Sequence, residues 1–196
     1  TGGLPEKLPV PYGANASVSA DGQSLAYTPY SRDHRTWKRY RGGMATDVWL
    51  FHLSEHTSKR ITDCEGTDSQ PMWHGDKVYY LSDGGPEHKL NIWVYDTASG
   101  ERSQVTRHGD YDVKWPAIGP DDGGSGELVY QLGPELRLLD LASAESVAPA
   151  KAAPKRWPVR YTQESAFWAA TLPSQASTAR LQLSQFEHGA IYFSPK

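Results

Sequence analysis

The chain has 196 residues, 38% hydrophobic and 22% charged, with 18 Gly, 14 Pro, seven Trp and eleven Tyr. No run approaches the roughly 18 consecutive apolar residues that suggest a membrane-spanning helix, and a net charge of −3 leaves no electrostatic case for gripping a nucleic-acid backbone. Cys64 stands alone, which excludes an intrachain disulfide and fits a reducing, cytoplasmic compartment.

Frequent turn residues and large aromatics predict a soluble all-β domain. Residues 1–13 read as an extended lead-in; the chain begins at Thr1, with no methionine or leader, and reads as a piece of a longer protein. A repeat follows. Asp47-Val48-Trp49-Leu50-Phe51-His52 returns as Asn91-Ile92-Trp93-Val94-Tyr95-Asp96 and again as Glu135-Leu136-Arg137-Leu138-Leu139-Asp140, 44 residues apart both times. Ile61-Thr62 recurs as Val105-Thr106 in the same register. A period of about 40 to 50 residues, filled with short alternating segments and turns, is what a four-stranded propeller blade produces. The expectation is a β-propeller fragment with three four-stranded antiparallel blades over 14–64, 65–107 and 108–147. Propellers usually close with four or more blades, so the chain needs its tail as a degenerate fourth blade, or blades supplied from elsewhere.

In the first copy, strands are expected at Ser17-Val18-Ser19, at Leu25-Ala26-Tyr27, at the marker and over 58–62. The second copy has them over 69–73, 77–81, 91–96 and 101–106. In the third, Lys114-Trp115-Pro116-Ala117 leads through a glycine-rich turn at Gly123-Gly124-Ser125-Gly126 to Leu128-Val129-Tyr130 and the marker. Val48, Ile92 and Leu136 share parity with Leu50, Val94 and Leu138. That face of each marker strand is expected against a neighbouring blade, with Trp49, Trp93 and Arg137 on the opposite face.

One insertion interrupts the period. Between Tyr27 and Asp47 lie 19 residues, against 11 between Tyr79 and Asn91 and four between Tyr130 and Glu135. Long loops on rigid scaffolds are where binding residues concentrate. This one interleaves Arg32, Arg35, Lys38, Arg39 and Arg41 with Tyr30, Trp37 and Tyr40, against a single acid of its own, Asp33. Two readings stand. A cationic, aromatic rim would draw a carboxylate, such as a peptide carboxy terminus, with Arg35, Trp37, Lys38, Arg39, Tyr40 and Arg41 as candidate substrate-binding residues. Alternatively, Trp37 and Tyr40 anchor the loop while its basic groups are solvated or paired with acids nearby.

No residue pattern supplies a catalytic centre. Gly123-Gly124-Ser125-Gly126-Glu127 fails the Gly-x-Ser-x-Gly nucleophile elbow at its last position and reads as a turn. The histidines are scattered, and His52 and His56 would share a face only on a helix. Cys64, in the turn-like Asp63-Cys64-Glu65-Gly66, has no partner motif and reads as an inert thiol. No catalytic residue, metal ligand or cofactor is assigned.

Residues 148–156, rich in Ala, Pro and Lys, read as a linker. Over 157–196, three strand-like runs (Phe167-Trp168-Ala169-Ala170-Thr171-Leu172, Arg180-Leu181-Gln182-Leu183 and Ala190-Ile191-Tyr192-Phe193) suit a fourth blade. The stretch from Phe186 to Pro195 also resembles the end of an LGFP repeat, a module of secreted, cell-wall-associated bacterial proteins, although His188 replaces a usual glycine. That likeness implies a secreted or wall-associated alternative to the cytoplasm.

The run Trp37-Lys38-Arg39-Tyr40-Arg41-Gly42-Gly43, followed by Asp47-Val48-Trp49, resembles the Trp-Lys-x-Tyr-Arg-Gly-Gly segment of the amino-terminal propeller in the tricorn protease family. The likeness runs from about Leu4 to Val147 and takes in Val18-Ser19-Ala20-Asp21-Gly22, Lys59-Arg60-Ile61-Thr62, Gln70-Pro71 and Val78-Tyr79-Tyr80-Leu81. It implies a non-catalytic propeller segment of a large serine peptidase, one that filters or guides oligopeptides toward a catalytic core this chain lacks. It further implies partners in the remaining propeller and catalytic domains, and homo-oligomers of the full-length protein. In that family the residues holding substrate carboxylates lie elsewhere. The alternative is a free-standing TolB or WD-repeat-like propeller module for protein–protein interaction; a third class, a small hydrolase in its own right, lacks a visible nucleophile and base.

Overall fold

The computed structural model describes residues 7–10, 12–34, 38–119 and 126–147. The linker, the tail and its LGFP-like run lie outside the described residues, as do Arg35 and Trp37. Among the described residues there are twelve strands and no helix. Sheet one contains β1 (Ala14–Val18), β2 (Ser24–Thr28), β3 (Trp49–His52) and β4 (Thr57–Arg60). Sheet two contains β5 (Asp68–His74), β6 (Lys77–Ser82), β7 (Asn91–Asp96) and β8 (Arg102–Gln104), and sheet three β9 (Val113–Ile118), β10 (Glu127–Leu132), β11 (Glu135–Asp140) and β12 (Glu145–Val147). In each sheet every strand pairs with the next in sequence. The first strands lie side by side, β5 touching both β1 and β9, as the inner strands of successive propeller blades do. The all-β propeller fragment expected from the repeat is the fold adopted.

The 44-residue period has identifiable causes. Thr62 Oγ1 accepts the buried Val48 amide at 2.9 Å and donates to Asp47 Oδ1 at 3.4 Å. One period later Thr106 Oγ1 accepts the Ile92 amide at 2.9 Å and donates to Asn91 Oδ1 at 3.0 Å. The outer strand has ended by this point, so the hydroxyl satisfies an amide that would otherwise be buried unpaired. The outer hairpins repeat as well. Asp96 Oδ1 accepts the amides of Ala98 and Ser99, and Asp140 Oδ1 those of Ala142 and Ser143, all within 2.8–3.0 Å. Each outer turn then needs one left-handed residue: His56 (φ 54°), Gly100 (φ 75°) and Ala144 (φ 55°), again 44 apart.

The core lies in the seams between sheets. Ala26, Val48 and Ile61 of the first blade meet Val78, Tyr80 and Tyr95 of the second. On the other side of the second sheet, Met72, Tyr79, Leu81 and Ile92 meet Val113, Leu128, Tyr130 and Leu139. Fully burying one such side chain contributes about 1.5–3 kcal/mol. The first sheet's outer face, Leu25, Tyr27 and Phe51, is covered by Val10 and Leu53. The single packed face expected of each marker strand needs correcting, because an interior blade has a neighbour on both sides. Tyr95, of the same parity as Trp93, is buried with the half-buried Trp93 packed against it, and Leu139, of the same parity as Arg137, is buried too. Leu136, the counterpart of Val48 and Ile92, is 44% exposed, since among the described residues no fourth sheet lies against it.

These turns yield a graded prediction. A Cβ on Gly100 would meet nothing closer than Tyr95 Oη at 3.8 Å, so Gly100→Ala should cost only the left-handed strain. That amounts to about 1 kcal/mol, and Ala144→Gly should recover a similar amount. Urea denaturation of the full chain checks both; a null effect for the pair would mean these turns do not hold the conformation described.

Candidate functional site

The site begins with three irregular residues. Asn15 (φ 43°), Gln70 (φ 51°) and Trp115 (φ 50°) sit near the start of β1, β5 and β9, each in the left-handed region without being glycine. Pairing slips there in all three sheets: between Ala14 and Ala16, between Ser69 and Met72, and between Val129 and Gln131 opposite β9. Such bulges re-aim side chains, and each left-handed residue costs about 1–3 kcal/mol, held by the surrounding sheet. The same end of the three inner strands therefore carries Asn15, Gln70 and Trp115 out of regular register.

The insertion between β2 and β3 folds across this end. Asn15 Nδ2 donates to Asp33 Oδ2 at 2.7 Å and to Ser31 Oγ at 3.2 Å, and Tyr30 Oη donates to the Ala45 carbonyl at 3.1 Å. The loop then reaches the other sheets. Lys38 Nζ and Arg39 Nη2 pair with Asp112 at 3.3 and 3.5 Å, and Arg39 Nε donates to the His88 carbonyl at 2.9 Å. Arg41 Nη2 lies 3.8 Å from Asp83 Oδ2 and donates to the Asp83 carbonyl at 3.4 Å. Both acids are almost fully enclosed, their side chains 8% and 4% exposed. Each also accepts a backbone amide: Leu90 N to Asp112 at 3.1 Å, and Thr67 N to Asp83 at 2.9 Å.

The cationic loop is thus opposed by more than the single acid visible within it. Lys38, Arg39 and Arg41 neutralise two carboxylates supplied by the second blade and by the start of the third. An enclosed acid left unpaired is strongly penalised, whereas the exposed cations gain little from the contact, so the pairs mainly fix the loop's position. Asp83 and Asp112 escaped sequence reasoning because their partners are about 40 to 75 residues away in the chain. The only local hint is that each sits in a turn beside a strand end.

Loop and bulges enclose a cleft of about 100 Å³ lined by Arg32, Lys38, Arg39 and Tyr40 from the insertion, and by Gln70, Lys114 and Trp115 from the inner strands. Of the six candidate residues, Lys38, Arg39 and Tyr40 line it and Arg41 lies behind it against Asp83. Arg32, left out of that set, holds its guanidinium 4.7 Å from the Tyr30 ring centre and 6.0 Å from that of Tyr40. The His34 ring lies 5.5 Å from that of Trp115, tilted by 34°.

Other polar groups are structural. His108 Nε2, ahead of β9, lies 2.8 Å from Tyr130 Oη, which lies 2.6 Å from Ser146 Oγ, a part-buried chain that ties this segment to the third sheet. Burial, and then the Arg137 charge, lowers the His108 pKa. Burial pushes the Cys64 thiol up, away from the reactive thiolate. Among the described residues no group of His, Cys, Asp and Glu gathers to hold a metal ion. Asp68 is 1% exposed and one of its oxygens, Oδ1, has no hydrogen-bond partner. Burial raises its pKa to about 6; hydrogen bonds from Ser82 and Thr62 resist the rise, and the Asp47 charge adds to it.

Comparison with known proteins places this geometry. The family described as "Tricorn protease N-terminal beta propeller domain" matches residues 1–145. Tricorn protease homolog 1 of Streptomyces coelicolor is 30% identical over 67% of this chain, and the Saccharolobus solfataricus tricorn protease homolog is 27% identical over 56%. The chain spans only 12% and 10% of those relatives' lengths. The crystal structure of tricorn protease superposes with a TM-score of 0.52 at 21% identity, over 66% of this chain and 12% of that one. TolB from Acinetobacter baumannii superposes equally well, with a TM-score of 0.52 at 20% identity, over 68% of this chain and 31% of that one.

The enclosed Asp68 makes stability depend on pH in an unusual direction. Its folded pKa of about 6 exceeds the ordinary 3.8, so the folded state binds the extra proton in that window. The ionisation penalty is fully present above the folded pKa and disappears as pH falls toward the ordinary value, a change of about 3 kcal/mol. Exposed acids with lowered pKa values, Asp96 and Asp140 among them, act oppositely, so the comparison is between wild type and Asp68→Asn. The variant should gain stability on the wild type near pH 8 and lose that advantage near pH 4 in urea denaturation. An advantage independent of pH would show that Asp68 is not the titrating group.

Proposed function

We propose, from the fact that the chain belongs to the tricorn protease N-terminal β-propeller family, that it is a non-catalytic propeller module that receives oligopeptides at its loop-covered end and guides them toward a catalytic part carried elsewhere in a larger protein. The observation that supports this most directly is the strapped insertion. Lys38, Arg39 and Arg41 tie it across three blades, so that Tyr40, Gln70 and Trp115 are presented around one cleft at the ends of the inner strands. A rim that is both aromatic and polar suits extended peptides, whose backbone needs hydrogen bonds while their side chains vary. In this reading Lys38, Arg39 and Arg41 shape the rim, and Tyr40 and Trp115 meet the peptide. The partners are the remaining propeller and catalytic domains, in a homo-oligomer, and the lone Cys64 supports a cytoplasmic setting.

A TolB-like module for protein–protein contacts rests on likeness of fold alone. The two readings separate experimentally. Tryptophan fluorescence of the full chain should report saturable binding of short unstructured peptides, weakened by Trp115→Ala about fivefold to tenfold, as loss of one aromatic contact implies. Mass spectrometry of the same mixtures should find the peptides intact. Absence of binding would remove the guiding role. Cleavage that vanishes on replacing one Ser or Cys of this chain would make it an enzyme instead.

A further inference from the structure

We propose that Asp68 is a proton-operated latch on the insertion: while it keeps its proton it holds the returning segment at Thr46 and Asp47 against the second blade, and giving the proton up loosens that segment. Such a latch acts whatever the cleft binds, so it stands apart from the guiding role. Asp68, Asp83 and Asp112 are all enclosed, but they are not answered alike. Asp83 takes Arg41, and Asp112 takes Lys38, Arg39 and the Leu90 amide. Asp68 lies one 44-residue period before Asp112 and is 1% exposed. Among the described residues no cation pairs with it, and its Oδ1 has no hydrogen-bond partner. Arg102, whose charge is felt at Asp68, is paired with Asp63. An enclosed carboxylate oxygen without a donor is far more costly than the carbonyl oxygen of a neutral carboxyl in the same place, so the setting suits the protonated acid.

The hydrogen bonds point the same way. Thr62 Oγ1 accepts the Val48 amide at 2.9 Å, donates to Asp47 Oδ1 at 3.4 Å and bonds the Asp68 carboxyl as well. A hydroxyl has one proton to give and two lone pairs. With both acids ionised, each needs that one proton. With a proton on Asp68 the chain runs in one direction: Asp68 gives to Thr62 and Thr62 gives to Asp47, which keeps Arg60 at 3.4 Å. The Asp68 amide donates to the Thr46 carbonyl at 2.8 Å, where the insertion ends, so one residue fixes both Thr46 and Asp47. The next repeat has the cluster without the titration. Asn91 replaces Asp47, Thr106 donates to it at 3.0 Å, and Asp112 has its two cations.

The direction of the pH effect follows. Burial lifts Asp68 to about 6 from the ordinary 3.8, with Ser82, Thr62 and the Cys64 backbone opposing and the Asp47 charge adding. Of the groups around it, Cys64 and Tyr80 are pushed up by burial and stay protonated. Asp63 is held low by Arg102, and Asp47 is raised by burial against the pull of Arg60. Asp68 is therefore the acid of this cluster that changes charge across pH 6. The latched state is favoured below that pH, and the advantage is lost as pH rises through it.

The test uses the full chain labelled with carbon-13 and nitrogen-15. The Asp68 carboxyl carbon, assigned by its loss in Asp68→Asn, should titrate at about pH 6. Hydrogen exchange, corrected for its intrinsic pH dependence, should show the protection of the Asp68 and Val48 amides falling about tenfold between pH 5 and 7.5, the ratio that midpoints of about 6 when latched and 3.8 when open require. A local opening exposes little surface, so that exchange should be insensitive to about 0.5 M urea. In Asp68→Asn the protection should not vary with pH, and Asp47→Asn should move the Asp68 midpoint down. An ordinary carboxyl midpoint at Asp68 would overturn the latch. So would exchange that accelerates with urea as steeply as global unfolding, which would make Asp68 a determinant of overall stability and nothing more. An Asp68 midpoint unmoved by Asp47→Asn would overturn the chain through Thr62. Should Asp68→Asn fail to fold, the wild-type exchange and the Asp47→Asn titration decide.

Discussion

Everything in this molecule depends on covering both faces of its middle sheet. A four-stranded sheet this small has alternating side chains on two sides and little interior of its own, so it is stable only between neighbours. Here β6 and β7 send Val78, Tyr80 and Tyr95 one way and Tyr79, Leu81 and Ile92 the other, and both sets are buried. The first sheet solves its end problem by laying Val10 and Leu53 over Leu25, Tyr27 and Phe51. The third sheet leaves Leu136 open among the described residues. Because the blades are held seam by seam, their inner strands are fixed relative to one another, and a ligand-facing end can be assembled from all three.

The insertion exploits that rigidity. Its cations reach Asp83 and Asp112, acids that the blade ends enclose and that each hold a backbone amide as well. Such pairs add little net stability, since enclosing the carboxylates offsets most of the Coulombic gain; their effect is to penalise every loop position except one. With the loop fixed, Arg32 is left between two tyrosines and, among the described residues, without an acid. The charge that remains uncompensated is therefore defined by the charges that are.

The fold was legible in the sequence because its repeating contacts are made by repeating residues. Thr62 and Thr106 recur since each closes a buried amide, and Asp96 and Asp140 recur since each caps a turn. The register weakens where the chemistry does: Glu135 stands where Asp47 and Asn91 accept from threonine. Other features left no such trace. The bulge positions carry Asn15, Gln70 and Trp115, three unlike residues, so a shared backbone conformation was hidden behind unshared side chains. The insertion was conspicuous by length and charge, but the acids that answer it are distant in sequence, and the exposure of Leu136 depends on a neighbouring blade rather than on its own strand.

The contrast between the two sets of left-handed residues indicates where this end of the molecule is specialised. At the outer turns the strained position accepts glycine, alanine or histidine, because the backbone needs the conformation and makes no demand on the side chain. At the inner bulges no glycine occurs, although glycine would adopt the conformation at no steric cost. Instead an amide or an indole stands there: Asn15 tethers the insertion, while Gln70 and Trp115 line the cleft the insertion encloses. Backbone strain at these three places is therefore coupled to side chains that face the rim. The same displacement that breaks the β-ladder holds the loop at one blade and forms the wall at the other two.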